Sequence, residues 1–325
     1  MTAAAADAPQ GSRVAVCICT YRRPQGLARL LQALAEQRFT HVPPPRVTLV
    51  VTDNEGNQQV KALCDASRRE AFAALLYYHE PRRGISYARN TCLDHVPHAT
   101  DFIAMIDDDE IPAQDWLEQL LLAQARTGAE IVIGPATPVF GPDTPQWVQR
   151  SGFFDKPREQ DKLADLQSDP AAATCNALVS AGSLAATGIR FHPDLALSGG
   201  EDALFFRELK LAGYRFTWAR HAQVFESIPA QKARLGYILR EEFRRGNVRV
   251  FVEELISSPA GGRRRSVLRE SRRALKRVFS GIAGVLGTLR HWNRERGRMA
   301  MAASRVARGL GMLAGLAGIR NRHYR

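Results

Sequence analysis

The sequence predicts an α/β fold: a mainly parallel sheet flanked by helices, with a basic amphipathic helical tail at the C-terminus. Three observations predict it. Short runs rich in Val, Ile and Leu alternate with amphipathic runs from residue 13 to residue 140, the pattern of strands joined by helical crossovers. Thr20, Asp53 and Asp107 each stand at the end of an apolar run, and sites in parallel sheets lie beyond the carboxyl ends of the strands. Charge is also divided along the chain. Residues 263 to 325 hold 17 Lys and Arg against 2 Asp and Glu, a net of +15, which leaves −3 for the rest of a chain whose formal charge is +12.

The elements follow in order. "RVAVCICT" (13 to 20) is small, apolar and β-branched, as a buried strand requires. Pro24 then opens a helix through Gln37, since Pro is tolerated at a first helical turn. "RVTLVVTDN" (46 to 54) is a second strand, followed by a helix through Arg69. "AALLYYHE" (73 to 80) reads as a third strand, although its periodicity also admits a helix. A helix over 85 to 95 follows Gly84, then the strand "DFIAMID", a helix over 113 to 127 and an extended run over 129 to 140. Residues 141 to 173 are rich in Pro and Asp and read as a long loop over the site, either a lid or an insertion. Strand character resumes at 174 to 181. A turn and helix occupy 198 to 213, an extended run 214 to 226, and a long helix 230 to 256. "SSPAGG" (257 to 262) is a linker by composition.

Composition bounds the function. With 45% hydrophobic residues the chain can build a core, and because the basic excess lies in the tail, a nucleic-acid-binding body is not expected. The five cysteines (Cys17, Cys19, Cys64, Cys92 and Cys175) are odd in number and show no CxxC spacing, which suits a reducing compartment and small buried thiols. Neither a signal peptide nor an unbroken apolar span of membrane length is expected.

Four consecutive carboxylates end one strand in "MIDDDE" (105 to 110). Alternation puts Asp107 and Asp109 on one side and Asp108 on the other. Two carboxylates on one side suit a hard divalent cation, Mg²⁺ or Mn²⁺, that could in turn hold a diphosphate. The same run would also serve as an acidic turn capping the helix at 113. Asp53 could accept hydrogen bonds from a base or a ribose, or could simply hold a turn. "CTYRRP" places Thr20, Tyr21 and Arg22 at the end of the first strand, where Tyr could pack on a base and Arg could meet phosphate. No GxGxxG or GxxxxGK[ST] occurs, so neither a dinucleotide fold nor a P-loop is supported. In "GGED" (199 to 202), Asp202 sits at a helix N-terminus that favours its charged form, where it could take a proton from a hydroxyl. Glu201 and Asp202 would equally serve as helix caps.

Taken in order, "VAVCICTYRRP", "VVTDN", "GISYARN", "IDDDE" and "GGEDALFFRELKLAGYRF" resemble a family 2 glycosyltransferase of the GT-A fold, in particular the bacterial exopolysaccharide transferases of the succinoglycan type. The resemblance covers roughly residues 12 to 250. Together with the composition of the linker and the charge of the tail, it divides the chain into a catalytic domain over 12–256, the linker 257–262 and the tail 263–325. It also implies inverting transfer from a nucleotide-diphosphate sugar, possibly a UDP-sugar, to a hydroxyl of a glycan or lipid-linked acceptor. Thr20, Tyr21, Arg22 and Asp53 match the family's nucleotide-contacting positions, and Gly84, Arg89 and Asn90 its segment beside the donor. Asp107 and Asp109 match the ends of its DxD motif, with Asp109 as direct metal ligand, and Asp202 matches its catalytic base. One departure is visible. Where many members carry a late His in V-x-H-x-x-P, this chain reads "VFESIP", so Glu226 takes that place as candidate metal ligand and His221 does not align.

The tail invites a second reading, a basic-tailed protein that binds nucleic acid or another polyanion without transferase activity. A nucleotidyltransferase is disfavoured because "TYRRPQG" is too short for its Gly-rich loop. Within the tail, Leu268, Leu275 and Phe279 fall at helical spacing beside Arg and Lys, and Trp292 suits an interface. The expectation is peripheral attachment to an anionic membrane surface, at the cytoplasmic face of the plasma membrane.

Overall fold

The structure is a computed structural model that describes residues 11–67, 71–155, 162–257, 262–289 and 296–320. The first half is the expected alternation. It runs β1 (Arg13–Thr20), α1 (Pro24–Ala35), β2 (Arg46–Asp53), α2 (Gln58–Ala66), β3 (Ala74–His79), α3 (Ile85–Asp94) and β4 (Phe102–Asp107). These four strands pair in parallel in the order β3-β2-β1-β4. Alternation along β1 divides the core. Val14, Val16 and Ile18 face one layer with Leu27, Leu30 and Leu120, while Ala15 and Cys17 face the other with Cys92, Phe191 and Phe205.

After β4 come β5 (Glu110–Pro112), α4 (Trp116–Thr127), β6 (Ile131–Ile133), β7 (Ala136–Phe140) and α5 (Gln146–Gln149), then β8 (Asn176–Ser180) and α6 (Ala181–Thr187). They are followed by α7 (Glu201–Leu211), β9 (Phe216–Trp218), β10 (Val224–Ile228) and α8 (Leu235–Ile256). β8 extends the large sheet antiparallel to β4, and β6 and β9 complete it, giving seven strands. A small sheet, β5-β10-β7, stands apart.

Two expected extended runs are each split between these sheets. Residues 129 to 140 form β6 in the large sheet and β7 in the small one, and residues 214 to 226 divide likewise into β9 and the start of β10. The cause is a buried hub at Asn176. Its Nδ2 donates to the carbonyls of Pro135 (2.8 Å) and Ala222 (2.6 Å), and its Oδ1 accepts from Trp116 Nε1 (2.8 Å). Both chains are thereby pinned where they leave the large sheet. The long loop is also more ordered than its composition suggests. Phe153 and Phe154 are buried with Val148, Ile228 and Ile238, although residues 156 to 161 lie outside the described residues.

Most of the proposed linker, 258 to 261, lies outside the described residues, as do the end of the helix expected through Arg69 and the tail's Trp292. The helix expected from 230 begins at Leu235, after a turn in which the Lys232 and Ala233 N–H groups donate to the Pro229 carbonyl. Beyond it lie α9 (Gly262–Leu289) and α10 (Arg296–Leu316). α10 packs directly on α8: a Cβ at Gly246 would strike the Arg308 carbonyl, and one at Gly311 the Phe243 carbonyl. Val250, Ala274 and Met312 form a small core where the three helices meet. No helix among the described residues is long and apolar enough to cross a membrane.

Candidate active site

The parallel register aligns the strand ends. Thr20 lies opposite Asp53, and Cys19 opposite Asp107, so the polar residues that end β1, β2 and β4 share one rim. Above that rim is a cavity of about 610 Å³. Thr20, Tyr21, Arg22, Gly84, Arg89, Asp107, Asp109 and Glu226 all line it. A second cavity of about 590 Å³ adjoins it, lined by Asp202 and Arg207 and sharing Arg89, Asp107, Glu241 and Arg245 with the first.

Arg89 joins the two acidic motifs. It projects from α3 with a side chain only 12% exposed, pairs closely with Glu201, and lies 3.3 Å from Asp107 Oδ1. Both carboxylates hold its guanidinium in the charged form. Burial pushes the Glu201 carboxyl up to about 7, although Arg89 pulls the other way. The end of β4 and the start of α7 are thus tied at the seam between the cavities. Asp202, beside Glu201, turns into the second cavity, where its Oδ1 accepts from the Ala203 N–H (2.7 Å). Gly199 and Gly200 both take positive φ (77° and 86°). Their close approach is to Arg244 and Val248 of α8, so the two glycines also serve helix packing.

Strand alternation stops at Asp107, where β4 ends, and all three aspartates of the run border the same cavity, contrary to the expected placing of Asp108 on the other side. Asp107 and Asp109 are half-buried on the cavity wall, while Asp108 is buried. Asp108 accepts from Thr20 Oγ1 (2.8 Å) and Arg23 Nη1 (2.9 Å), and burial pushes its pKa up to about 6. Glu110 accepts the Asp107 N–H through Oε2 (3.0 Å), which fixes the turn. The same Arg23 nitrogen reaches Asp109 Oδ2 at 2.8 Å. Lys232 stands between Asp109 (3.9 Å) and Glu226 (3.8 Å).

Two expected donor contacts, Asp53 and Asn90, lie outside the cavity, and Arg22 lines it while paired elsewhere. Asp53 is fully buried and does not line the cavity. Its oxygens accept from the N–H groups of Glu55 and Asn57 and from Tyr77 Oη, so it holds the turn, and the adjacent Asn54 reaches the cavity instead. Asn90 makes a two-way pairing with the backbone of Phe191 (2.8 and 2.9 Å), which anchors that segment against α3. Arg22, at φ 58°, pairs with Glu55 (2.7 Å), and it is Arg23 that reaches the acidic run. Tyr21 carries guanidinium groups over its ring, Arg22 at 5.0 Å and Arg83 at 5.9 Å. Gly84 donates its N–H to Asn54 Oδ1 (2.8 Å), and a Cβ there would collide with Ala196.

Arg23 and Lys232 escaped the sequence reading. Arg23 is adjacent to Arg22 in "TYRRP", and nothing in "PAQKARL" marks Lys232, which reaches the site only because β10 pairs beside β5.

The loop after β3 is held by Glu80, whose carboxylate accepts from Arg82 Nε (2.9 Å) and Nη2 (2.7 Å), the Arg82 N–H (2.8 Å) and Thr91 Oγ1 (2.7 Å). Arg82 above all holds the Glu80 pKa down to about 2. The depressed value means that the stabilisation is present above the ordinary value of 4.5 and is lost as pH falls toward about 2. Glu80→Gln should therefore cost about 1.5–3 kcal/mol at neutral pH, the scale of hydrogen bonds to a charged group. The gap from wild type should close in acid, as read from urea midpoints across pH. A gap independent of pH would mean that shape alone is at stake.

A divalent cation can be tested against these side chains. Among the described residues no group of three or more His, Cys, Asp and Glu is arranged to hold an ion unaided. Asp107 and Asp109 do present hard oxygens to one cavity, and Mg²⁺-type ions commonly take one or two carboxylates and complete their shell with phosphate and water. The donor set fits an ion shared with a diphosphate. Glu226 faces the same space, but Lys232 lies between it and Asp109.

Comparison with known proteins gives a consistent result. The profile of glycosyl transferase family 2 matches residues 15–187. The succinoglycan biosynthesis protein ExoM of Rhizobium meliloti (strain 1021) is 37% identical over 230 residues, 70% of this chain and 71% of that protein. The glycosyltransferase AglE of Haloferax volcanii is 24% identical over 246 residues, covering 75% of this chain and 76% of AglE. Among solved structures, the mannosyltransferase PcManGT from Pyrobaculum calidifontis, in complex with GDP-Man and Mn²⁺, superposes with a TM-score of 0.61 at 20% identity, covering 94% of this chain and 88% of that one. S. aureus TarS 1-349 in complex with UDP-GlcNAc gives 0.52 at 14% identity, covering 96% and 93%.

Proposed function

The chain belongs to glycosyltransferase family 2, and we propose from that premise that it transfers a sugar, with inversion and with help from a divalent cation, from a nucleoside-diphosphate donor to a hydroxyl of a glycan or lipid-linked acceptor. The fold is of the GT-A type. Sugar transfer in polysaccharide synthesis is the activity that its family and its succinoglycan relative support. The observation that carries the finer reading is Arg89, which fastens Asp107 in the first cavity to the Glu201–Asp202 pair at the mouth of the second.

The first cavity suits the donor. Tyr21 and Asn54 lie where a base and ribose could rest, and Arg23 and Lys232 bring positive charge to the wall where a diphosphate would lie. A cation on Asp107 and Asp109 would offset charge on the leaving diphosphate when bound. The second cavity suits the acceptor. Asp202 takes the proton from the acceptor hydroxyl, the oxygen bonds to the anomeric carbon, and the bond from that carbon to the diphosphate oxygen breaks. The nucleoside diphosphate departs on the opposite side, so configuration inverts. Preorganised charge of this kind lowers the barrier because it need not reorient during the reaction.

The direct test is a screen of nucleotide sugars for hydrolysis with and without Mn²⁺. Turnover of none of them, with no nucleotide bound, would overturn the reading. Within it, Asp109→Ala should lose metal-dependent donor affinity, because one oxygen ligand and one diphosphate anchor disappear together. Titration calorimetry with the cognate nucleotide measures this, and equal Mn²⁺ dependence in variant and wild type would remove Asp109 from the site.

A further inference from the structure

The bundle of α8, α9 and α10 leaves one face of α9 uncovered. Leu268, Leu275, Phe279, Ile282, Leu286 and Leu289 are all exposed, between 44% and 66%. They recur at intervals of seven, four, three, four and three residues, which places them on a single stripe along about 30 Å of helix. The opposite face is spoken for: Ala274, Gly281 and Thr288 are buried, with Ala274 and Gly281 against α10. A stripe of six large apolar side chains in water is not needed for the bundle to pack, and such patches usually mark an interaction surface.

Charge indicates what covers it. Arg272 and Lys276 are exposed one helical step to the side of the stripe, while Arg269 and Arg273, further round the same side, pair with Glu253 and Glu270. At the far end of α9, a cavity of about 670 Å³ opens between that helix, α5 and α10. Trp147, Arg150, Arg298 and Arg305 line it, and no Asp or Glu is among its described lining residues. Gly284 and Thr288, on the packed face of α9 away from the stripe, form part of its wall, so the stripe and the cavity do not share one surface. An apolar stripe flanked by guanidinium and ammonium groups matches an acyl boundary below a layer of phosphates.

We propose that α9 lies in the plane of an anionic phospholipid surface, its stripe at the acyl boundary and Arg272 and Lys276 at the level of the lipid phosphates. The helix rests on the bilayer and does not cross it, and the cytoplasmic leaflet is the surface with the required negative potential. Attachment does not depend on the catalytic reading.

Flotation of the full chain with phosphatidylcholine vesicles, with and without phosphatidylglycerol, tests this. Wild type should float with the anionic vesicles and lose most of that binding in high salt. Leu275→Gln/Phe279→Gln/Leu286→Gln should abolish flotation on both lipids. Arg272→Gln/Lys276→Gln should weaken only the anionic preference, by roughly fivefold per charge. Circular dichroism and nucleotide binding check that each variant is folded. Wild type that stays with the solution, or a folded stripe variant that floats like wild type, overturns the proposal. So does a stripe-dependent dimer in sedimentation velocity without vesicle binding, which would assign the stripe to a second copy of this chain. An Arg272→Gln/Lys276→Gln variant with unchanged anionic preference would overturn the part given to the flanking charges. A chain that floats but turns over no nucleotide sugar would count against the catalytic reading alone.

Discussion

Replacing Asp202 with Asn is expected to leave nucleotide-sugar binding intact and to cut transfer by about 10²- to 10⁴-fold, the usual scale of general-base loss. The amide keeps the size of the side chain and still accepts the Ala203 N–H that Asp202 Oδ1 holds at 2.7 Å. It cannot take the acceptor proton. Because Asp202 lines the second cavity and not the first, donor affinity is a separate readout. The expected pattern is an unchanged dissociation constant for the nucleotide with a collapsed kcat. Near-normal turnover would return Asp202 to a capping role at the start of α7.

Arg89→Met should be the most damaging single change to stability. The side chain is 12% exposed, and Glu201, 6% exposed, depends on it for compensation. Removing one partner of a buried pair strands the other, at a cost of about 3–5 kcal/mol. For a chain of this size that lowers the melting temperature by on the order of 10 °C. Because burial already raises Glu201 to about 7, the stranded carboxyl should take up a proton more readily, so the loss should be smaller in mild acid. Arg89→Met/Glu201→Gln should be less destabilised than the sum of the single changes, since neither change then leaves a buried charge. Additive losses in that cycle would show that the pair is not coupled. Transfer should also fall in Arg89→Met, as Asp107 loses its cation at the seam.

Legibility followed the range of the forces involved. β1, β2 and β4 could be read because a strand buried on both faces is an uninterrupted apolar run, and Thr20, Asp53 and Asp107 because they end those runs. That the three would share a rim followed from parallel topology alone. The resemblance added Gly84 and Arg89 to the cavity, and both line it. Asp53 shows the limit. Sequence marked its position, but the local N–H groups of Glu55 and Asn57, together with Tyr77 Oη one strand away, decided where its oxygens point.

By itself the sequence determined the alternation of elements, the placement of acidic groups at two sheet ends, and the basic, periodic tail. Each is a matter of neighbours within a strand or a few helical turns. Tertiary structure alone decided that residues 129 to 140 divide between two sheets, since the Asn176 hub joins segments more than forty residues apart. It also brought Lys232 between Asp109 and Glu226, and Arg89 against both Asp107 and Glu201, 112 residues further along. In α9 the spacing of apolar residues was visible from the start, but which face would be covered was not. Periodicity fixes where side chains sit around a helix axis, whereas burial depends on what packs against it, and the glycines that admit α10 to α8 and α9 settle that only once the chain has folded back on itself.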